Sequence, residues 1–223
     1  VSIRKEYYKD RKLDFPIDQL TYYTRLSKIG EGSFGVIYKV LQYGNVDYLA
    51  AKISKKQIYE MDDDEFENLH REIGIISSLK NSCILKFYGF SPVNFEKEEY
   101  PVVVTELAPK GSLRDILNKE KIGFADEKWD NTAKLINIYG IALGMSYLHH
   151  KNIIHRDLKP DNILQSDHLH PKIADFGLSK DLSNVEQKEL ISGYKLKGTP
   201  LYCAPEILIN SNYTKAGDVY AFG

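Results

Sequence analysis

The hydrophobic pattern of this chain changes period near residues 105–110, and that change limits its possible folds more than any other feature. Before it, short apolar runs follow one another: "VIYKV" (36–40), "LAAKI" (49–53), "CILKFYGF" (83–90) and "YPVVVTEL" (100–107). Runs of this length, separated by turn signals such as "YGN" at 43–45, read as strands. One stretch within this half differs. Phe66, Leu69, Ile73, Ile76 and Leu79 recur at intervals of three and four, the spacing of an amphipathic helix. After Glu106 the pattern becomes mostly helical. Leu113 to Leu117 suits a short helix, and Leu135, Ile138, Ala142, Met145 and Leu148 are expected to form the apolar face of a longer one. Pro109 and Gly111 punctuate the boundary. The expected class is α+β. Residues 1–22 read as an N-terminal flanking segment, 23–106 as a strand-rich lobe with one main helix, and 107–223 as a mostly helical lobe.

Composition narrows the function. A net charge of -1 over 223 residues argues against a broad nucleic-acid surface. No apolar run has the length of a membrane span, so no membrane insertion is expected. The cysteines, Cys83 and Cys203, are too few for a disulfide framework, which points to a reducing compartment and a cytoplasmic location. The sequence begins at Val1 without a methionine and reads as excised from something longer.

Several motifs carry chemistry. "GEGSFG" holds Gly30, Gly32 and Gly35 in the G-x-G-x-x-G pattern, which alone more often marks turns than a ligand site. A dinucleotide fold requires a helix next, but the strand-like "VIYKV" follows, so the glycines are expected to cap a hairpin. Without side chains, such a tip lets backbone N–H groups approach phosphate oxygens, and Ile37 is placed to cover a flat base. Lys52 lies inside an apolar strand, where a cation is costly unless paired. Glu72, beside the apolar stripe of the helix, is the expected partner; Glu65 and Glu67 are rivals two turns earlier. "HRDLKPDN" (155–162) gathers an imidazole, two cations, two carboxylates and an amide. Asp157 can accept a proton from an attacking hydroxyl, Lys159 can reach a transferred phosphoryl group, and Asn162 offers a hard oxygen to magnesium. Asp175 of "ADFG" offers a second, and Mg²⁺ prefers few protein oxygens plus substrate phosphates.

Glycine loop, lysine, helix glutamate, Asp-to-Asn loop, Asp-Phe-Gly and "APE" (204–206) occur in one order. Together they resemble the eukaryotic protein kinase family, from about Leu26 to Gly223. The resemblance implies a bilobal kinase-like fold that uses ATP and Mg²⁺ on a protein substrate. By that resemblance Gly30, Gly32 and Gly35 cover the phosphates, and Lys52, paired with Glu72, contacts them. Asp157 is the catalytic base, Lys159 steadies the γ-phosphate, and Asn162 and Asp175 hold magnesium. Ile29, Ile37, Ala50 and Leu164 sandwich the adenine. Thr105 is the small gatekeeper, the Glu106 carbonyl and Ala108 N–H read the adenine edge, and Ser112 meets the ribose. Ile76, Phe87, His155 and Phe176 fit an internal spine, which makes His155 structural, and Asp218 fits a helix that anchors the catalytic loop.

Lys159 and "GTPLYCAPE" are similar to the serine/threonine pattern, with Thr199 expected to hydrogen-bond toward Asp157 and Lys159. "PKGSLRDIL" and "GDVYAFG" are closer to the tyrosine-kinase-like branch, so dual or tyrosine specificity remains the alternative, with a non-catalytic pseudokinase or scaffold beyond it. The position four before Thr199 is Lys195, which leaves Ser183, Ser192 and Tyr194 as acceptors for an upstream kinase or self-phosphorylation, with Arg156 as the phosphate-binding residue. The sequence stops at "GDVYAFG", before the last helices of such a domain and before the arginine that Glu206 is expected to pair with. The expectation is a C-terminally truncated catalytic domain that need not be active alone.

Overall fold

The computed structural model of the chain describes residues 15–22, 27–32, 35–42, 44, 47–183, 198–210 and 212–223. They fall into two units. The first contains the described residues up to Leu79 together with Lys86–Leu107, and the second contains Lys80–Leu85 and the described residues from Ala108 onward.

In the first unit the alternating segments form β1 (Leu20–Tyr22), β2 (Lys28–Glu31), β3 (Gly35–Gln42) and β4 (Tyr48–Ser54). Helix α1 (Asp63–Ser78) follows, then β5 (Phe87–Ser91) and β6 (Val102–Glu106). Among the described residues these are six strands of one antiparallel sheet, in the order β1-β3-β4-β6-β5 with β2 also on β3. Of the described residues in the segment expected to flank the domain, Leu20–Tyr22 pair with β3, and Ile17 and Leu20 are buried with Val40 and Leu49.

The sheet is covered on both faces, and its residue alternation shows how. Val102 and Val104 of β6 join Val40, Leu49, Ala51, Ile17 and Leu20 on one side. Val103 points the other way, toward Ile73 of α1, Ile58 and Phe90. Full burial of each valine is worth about 1.5–3 kcal/mol, so "VVV" is apolar throughout because it serves two cores. The start of α1 is fixed by a capping box. The Asp62 carboxylate accepts the Glu65 N–H at 2.8 Å, and the Glu65 carboxylate accepts the Asp62 N–H at 3.1 Å. The predicted stripe of α1 holds: Ile73 and Ile76 are buried, and Phe66 and Leu69 pack against the cluster that contains Ile73.

The second unit contains α2 (Leu113–Lys121), α3 (Asn131–His150), β7 (Ile153–Ile154), β8 (Ile163–Gln165), β9 (Pro171–Ile173), β10 (Lys180–Asp181), α4 (Pro205–Asn210) and α5 (Lys215–Phe222). Strand β7 pairs with β10, and β8 with β9, both antiparallel. Lys80–Leu85 belong here because Ile173 donates its N–H to Cys83 O (2.8 Å), Leu85 donates to Ile173 O (2.9 Å), and Lys80 donates to the Tyr147 hydroxyl (2.9 Å).

Helix α3 corrects the sequence reading. Leu135, Ile138 and Ala142 of the expected apolar face are exposed; only Met145 and Leu148 of that set are buried. The buried face instead includes Asn137, Gly140, Ile141 and Gly144. Two effects override the apolar pattern. A Cβ on Gly140 or Gly144 would lie 2.6 Å from Pro171 Cγ or Ile173 Cδ1, so the helix approaches β9 closely only through glycines. Asn137 can be buried because it donates to Leu169 O (2.7 Å) and accepts from Gln165 Nε2 (2.8 Å).

The hairpin expected around the glycines is present. Gly30 pairs with Ile37 and Glu31 with Val36, and Gly32 donates its N–H to Gly35 O at 2.9 Å. The glycines differ in what they protect. A Cβ on Gly35 would meet the backbone oxygen of Ile53 at 2.5 Å, whereas one on Gly32 would meet nothing within 4 Å among the described residues. Gly35→Ala is therefore expected to destabilise the protein by about 1–3 kcal/mol, and Gly32→Ala by less than about 0.5 kcal/mol. Denaturant melts of the two variants check this; equal midpoints would remove the distinction.

Candidate active site

Register places four of the predicted residues of the first unit on one sheet face. Leu49 and Ala51 of β4 enter the core on one side, so Ala50 and Lys52 point to the other. Directly opposite residues share a face, and Ile37 pairs with Lys52 and Ala50 with Thr105. This is the face covered by α1. There the Lys52 ammonium meets both oxygens of Glu72, at 3.0 and 3.4 Å. The rival carboxylate of Glu65 is taken by Lys56, at 2.6 Å. At the hairpin tip Glu31 bridges Lys28 (2.5 Å) and Lys55 (2.6 Å). The hydrogen bonds from Lys28 and then Lys55 hold the Glu31 carboxyl down at about 2. This clamp was not legible in the sequence, because Lys55 and Glu31 meet only through the pairing of β3 with its two neighbours.

At the edge of this face the Glu106 carboxylate accepts the Lys86 N–H (2.7 Å) and its own N–H reaches Lys86 O (2.9 Å). Its carbonyl accepts the Thr105 hydroxyl at 3.2 Å. Ile29 is half exposed on β2.

In the second unit the loop after β7 is held from within. Asp218 of α5 accepts the His155 N–H at Oδ2 (2.8 Å) and the Arg156 N–H at Oδ1 (2.9 Å). His149 Nε2 lies 2.9 Å from Oδ2. Burial pushes the Asp218 carboxyl up, but the hydrogen bonds from His149, His155 and Arg156 and the nearby His155 together bring it below the usual carboxylate range. Arg156 has φ 67°, a left-handed conformation costly for a side chain of this size, and its guanidinium lies 5.2 Å from the Tyr213 ring centre. His155 is fully buried, packs on Phe176 with ring centres 5.3 Å apart, and has Nε2 3.0 Å from Ala174 O. That oxygen can only accept, so Nε2 carries the proton, and Nδ1 faces the Asp157 N–H at 3.4 Å. These contacts are those of a structural histidine.

The loop thus presents Asp157, almost buried, with both oxygens engaged. Oδ1 accepts the Thr199 hydroxyl at 2.8 Å; Oδ2 faces Lys159 Nζ at 2.8 Å and accepts Asn162 Nδ2 at 3.0 Å. Lys159 Nζ also donates to Thr199 Oγ1 at 2.7 Å, closing a triangle of carboxylate, ammonium and hydroxyl. Thr199 follows Gly198, whose φ of 96° and close approach to Arg156 O (2.6 Å from a built Cβ) leave no room for another residue. The Asn162 amide spends its nitrogen on the Asp157 side chain and on Asp157 O (2.8 Å), so Oδ1 is the atom it can offer elsewhere. Ala174 donates its N–H to Asn162 O at 2.9 Å, which brings the next residue, Asp175, beside Asn162. Asp175 is exposed, with φ 63°. A neutral amide oxygen and an exposed carboxylate are both hard oxygens, the ligand type Mg²⁺ accepts beside substrate phosphates.

Residues 23–223 match the family model described as protein kinase domain. The chain belongs to this family. A probable serine/threonine-protein kinase of Dictyostelium discoideum is 34 % identical over 227 residues, covering all of this kinase domain and 22 % of its own length. The dual specificity protein kinase shkB of the same organism is 36 % identical over 200 residues, 90 % of this chain and 29 % of its own. A serine/threonine-protein kinase of Arabidopsis thaliana is 34 % identical over 200 residues, 88 % and 22 % respectively. The chain spans less than a third of each of these relatives.

Within the kinase domain, one predicted residue has a second occupation. The Ser112 hydroxyl caps α2, accepting the Asp115 N–H (3.1 Å) and donating to the Asp115 carboxylate (2.6 Å). Leu164 is its bridge partner across Gly111–Gln165, and Ala108 lies at the start of the same loop, its carbonyl accepting the Gly111 N–H at 3.4 Å. Of the proposed phosphate acceptors Ser183 is exposed, while Ser192, Tyr194 and the neighbouring Lys195 lie outside the described residues. His149 is a residue that sequence reasoning missed. Its signal was slight: a second histidine in the last turn of α3, six residues before His155. No helix of the described residues is long and apolar enough to cross a membrane.

Asp218 gives a test with a definite sign. Its folded pKa is depressed, so its contribution to stability is complete above the unfolded carboxylate value of about 3.9 and is lost as pH falls through the lower folded value. Asp218→Ala is expected to lose about 1–3 kcal/mol for each backbone N–H left unsatisfied at neutral pH, and to flatten the acid limb. Melts between pH 2 and pH 7 read both; an unchanged acid limb would show that Asp218 does not carry it.

Proposed function

We propose that the protein transfers the γ-phosphoryl group of ATP to serine or threonine hydroxyls of protein substrates. One observation carries this reading above the others: Asp157 Oδ1 already accepts a hydroxyl, that of Thr199, at 2.8 Å, with the Lys159 ammonium on the same pair of residues. An acceptor hydroxyl offered to that carboxylate meets a positioned base and a cation that offsets charge on the transferred group. Its oxygen forms a bond to the γ-phosphorus as the bond to the β-phosphate oxygen breaks. The proton passes to Asp157, and ADP leaves. The transition state is loose, so positioning and charge stabilisation supply most of the catalysis.

Lys52, kept in place by Glu72, supports contact with the α- and β-phosphates, and the open space at Gly32 supports backbone approach to them. Ile29, Gly30, Gly35, Ile37, Ala50, Thr105 and the Glu106 carbonyl are assigned to the nucleotide in the same reading, with Ala108, Ser112 and Leu164. Asn162 and Asp175 would hold Mg²⁺, which when bound neutralises charge on the phosphates. Lys52, Asp157 and Asp175 are all present, which weighs against a pseudokinase.

Dual specificity is the second reading, favoured by the 36 % identity to a kinase named for it. Full-length protein with Mg·ATP and a generic protein acceptor tests both. Asp157→Asn is expected to lower kcat by about 10²–10⁴-fold with ATP binding retained. Phosphoamino-acid analysis should give phosphoserine or phosphothreonine; phosphotyrosine as the main product would reverse the specificity. Equal rates in wild type and Asp157→Asn would defeat the assignment of the base.

A further inference from the structure

Beside the triangle of Asp157, Lys159 and Thr199 lies a second polar cluster that the reaction does not use. Arg114, in the first turn of α2, directs Nε and Nη2 at Asp161 Oδ2, at 3.4 and 3.3 Å. The same Nη2 donates to the Tyr202 hydroxyl. Asp161 lies two residues after Lys159, in the 3-10 turn Pro160–Asn162; Tyr202 lies three residues after Thr199, in the 3-10 turn Pro200–Tyr202. The two segments that converge on Asp157 therefore diverge again toward Arg114, which bridges them. The side chains of Arg114 and Asp161 are 34 % and 47 % exposed, so both remain accessible to a molecule lying across this surface.

We propose that Arg114 determines the charge preference for the acceptor peptide, by neutralising Asp161 and tying it to Tyr202 on the rim of the acceptor site. The proposal rests on Asp157 as the residue that meets the acceptor hydroxyl. Asp161 is four positions after Asp157, at most about 14 Å away along the chain. A bound peptide in extended form advances about 3.3 Å per residue, so residues three or four places from the acceptor come within range of Asp161. An unpaired carboxylate there attracts a basic residue of the substrate; paired to Arg114, it offers no net charge. The guanidinium suits this double task because its planar fork serves a carboxylate and a hydroxyl from one edge. Lysine, a point charge, cannot hold both in the same way.

The test compares kcat/KM of the full-length protein for acceptor peptides that differ only in having Arg, Ala or Glu near the acceptor serine. Wild type is expected to show little discrimination. Arg114→Ala frees the carboxylate and should favour the Arg peptide by roughly fivefold, the upper range for an exposed ion pair. Asp161→Asn frees the guanidinium and should favour the Glu peptide by a similar factor. The double variant should return to wild-type behaviour. Opposite signs in the two single variants are what a merely structural role cannot produce, and KM for ATP should stay constant while KM for peptide moves. Circular dichroism checks folding, and Arg114→Gln, which removes the charge but keeps much of the side chain, takes the place of Arg114→Ala if that variant is unstable. Shifts of the same sign, or none, would overturn the proposal. Failure of the wild type to phosphorylate any peptide would instead defeat the functional reading beneath it.

Discussion

The second unit depends on one buried carboxylate. Asp218 receives two consecutive backbone N–H groups, those of His155 and Arg156, and a histidine from α3. Two donors pointing the same way require a backbone that does not alternate, which is why Arg156 is left-handed. That conformation costs on the order of 1–3 kcal/mol, and it persists only because the surrounding contacts over-determine it. From it follows the direction of the next residue, Asp157, and so the position of the triangle with Lys159 and Thr199. A carboxylate on an ordinary turn could rotate away; Asp157 is aimed by a residue 61 positions further along, on α5.

The charges follow a related logic in each unit. Lys52 is tolerable in an apolar sheet because Glu72 accepts it in both of its oxygens, and the pair remains partly exposed, so neither ion bears the full cost of burial. Asp157 is nearly buried, and every acceptor it offers is met by an ammonium, a hydroxyl or an amide. The same economy explains Asn162: its nitrogen stabilises the loop, which fixes the direction of its oxygen.

Much of this was legible in the sequence because it is local or periodic. The hairpin around Gly30–Gly35 follows from turn residues between alternating runs, and Glu72 followed from its place next to the stripe of α1. Burial pushes the thiol of Cys203 up, which lowers its thiolate fraction. The α3 face failed because hydrophobicity was taken as burial. Close approach to β9 at Gly140 and Gly144 and the hydrogen bonds of Asn137 selected a different face.

What the sequence by itself determined was the order of the elements and the identity of the chemical groups, since these depend on residue type, spacing and local backbone preference. What only the tertiary structure decided was which groups meet. Leu20–Tyr22 fall in the stretch read as a flank, yet they pair with β3, and Lys80–Leu85 looked like part of the strand-rich half until Ile173 claimed their hydrogen bonds. Arg114 with Asp161 and Tyr202, His149 with Asp218, and Glu31 with Lys55 are separated by 24 to 88 residues. Contacts at such separations leave no periodic trace in a sequence, because each depends on the packing of elements between them and not on the neighbours of either residue.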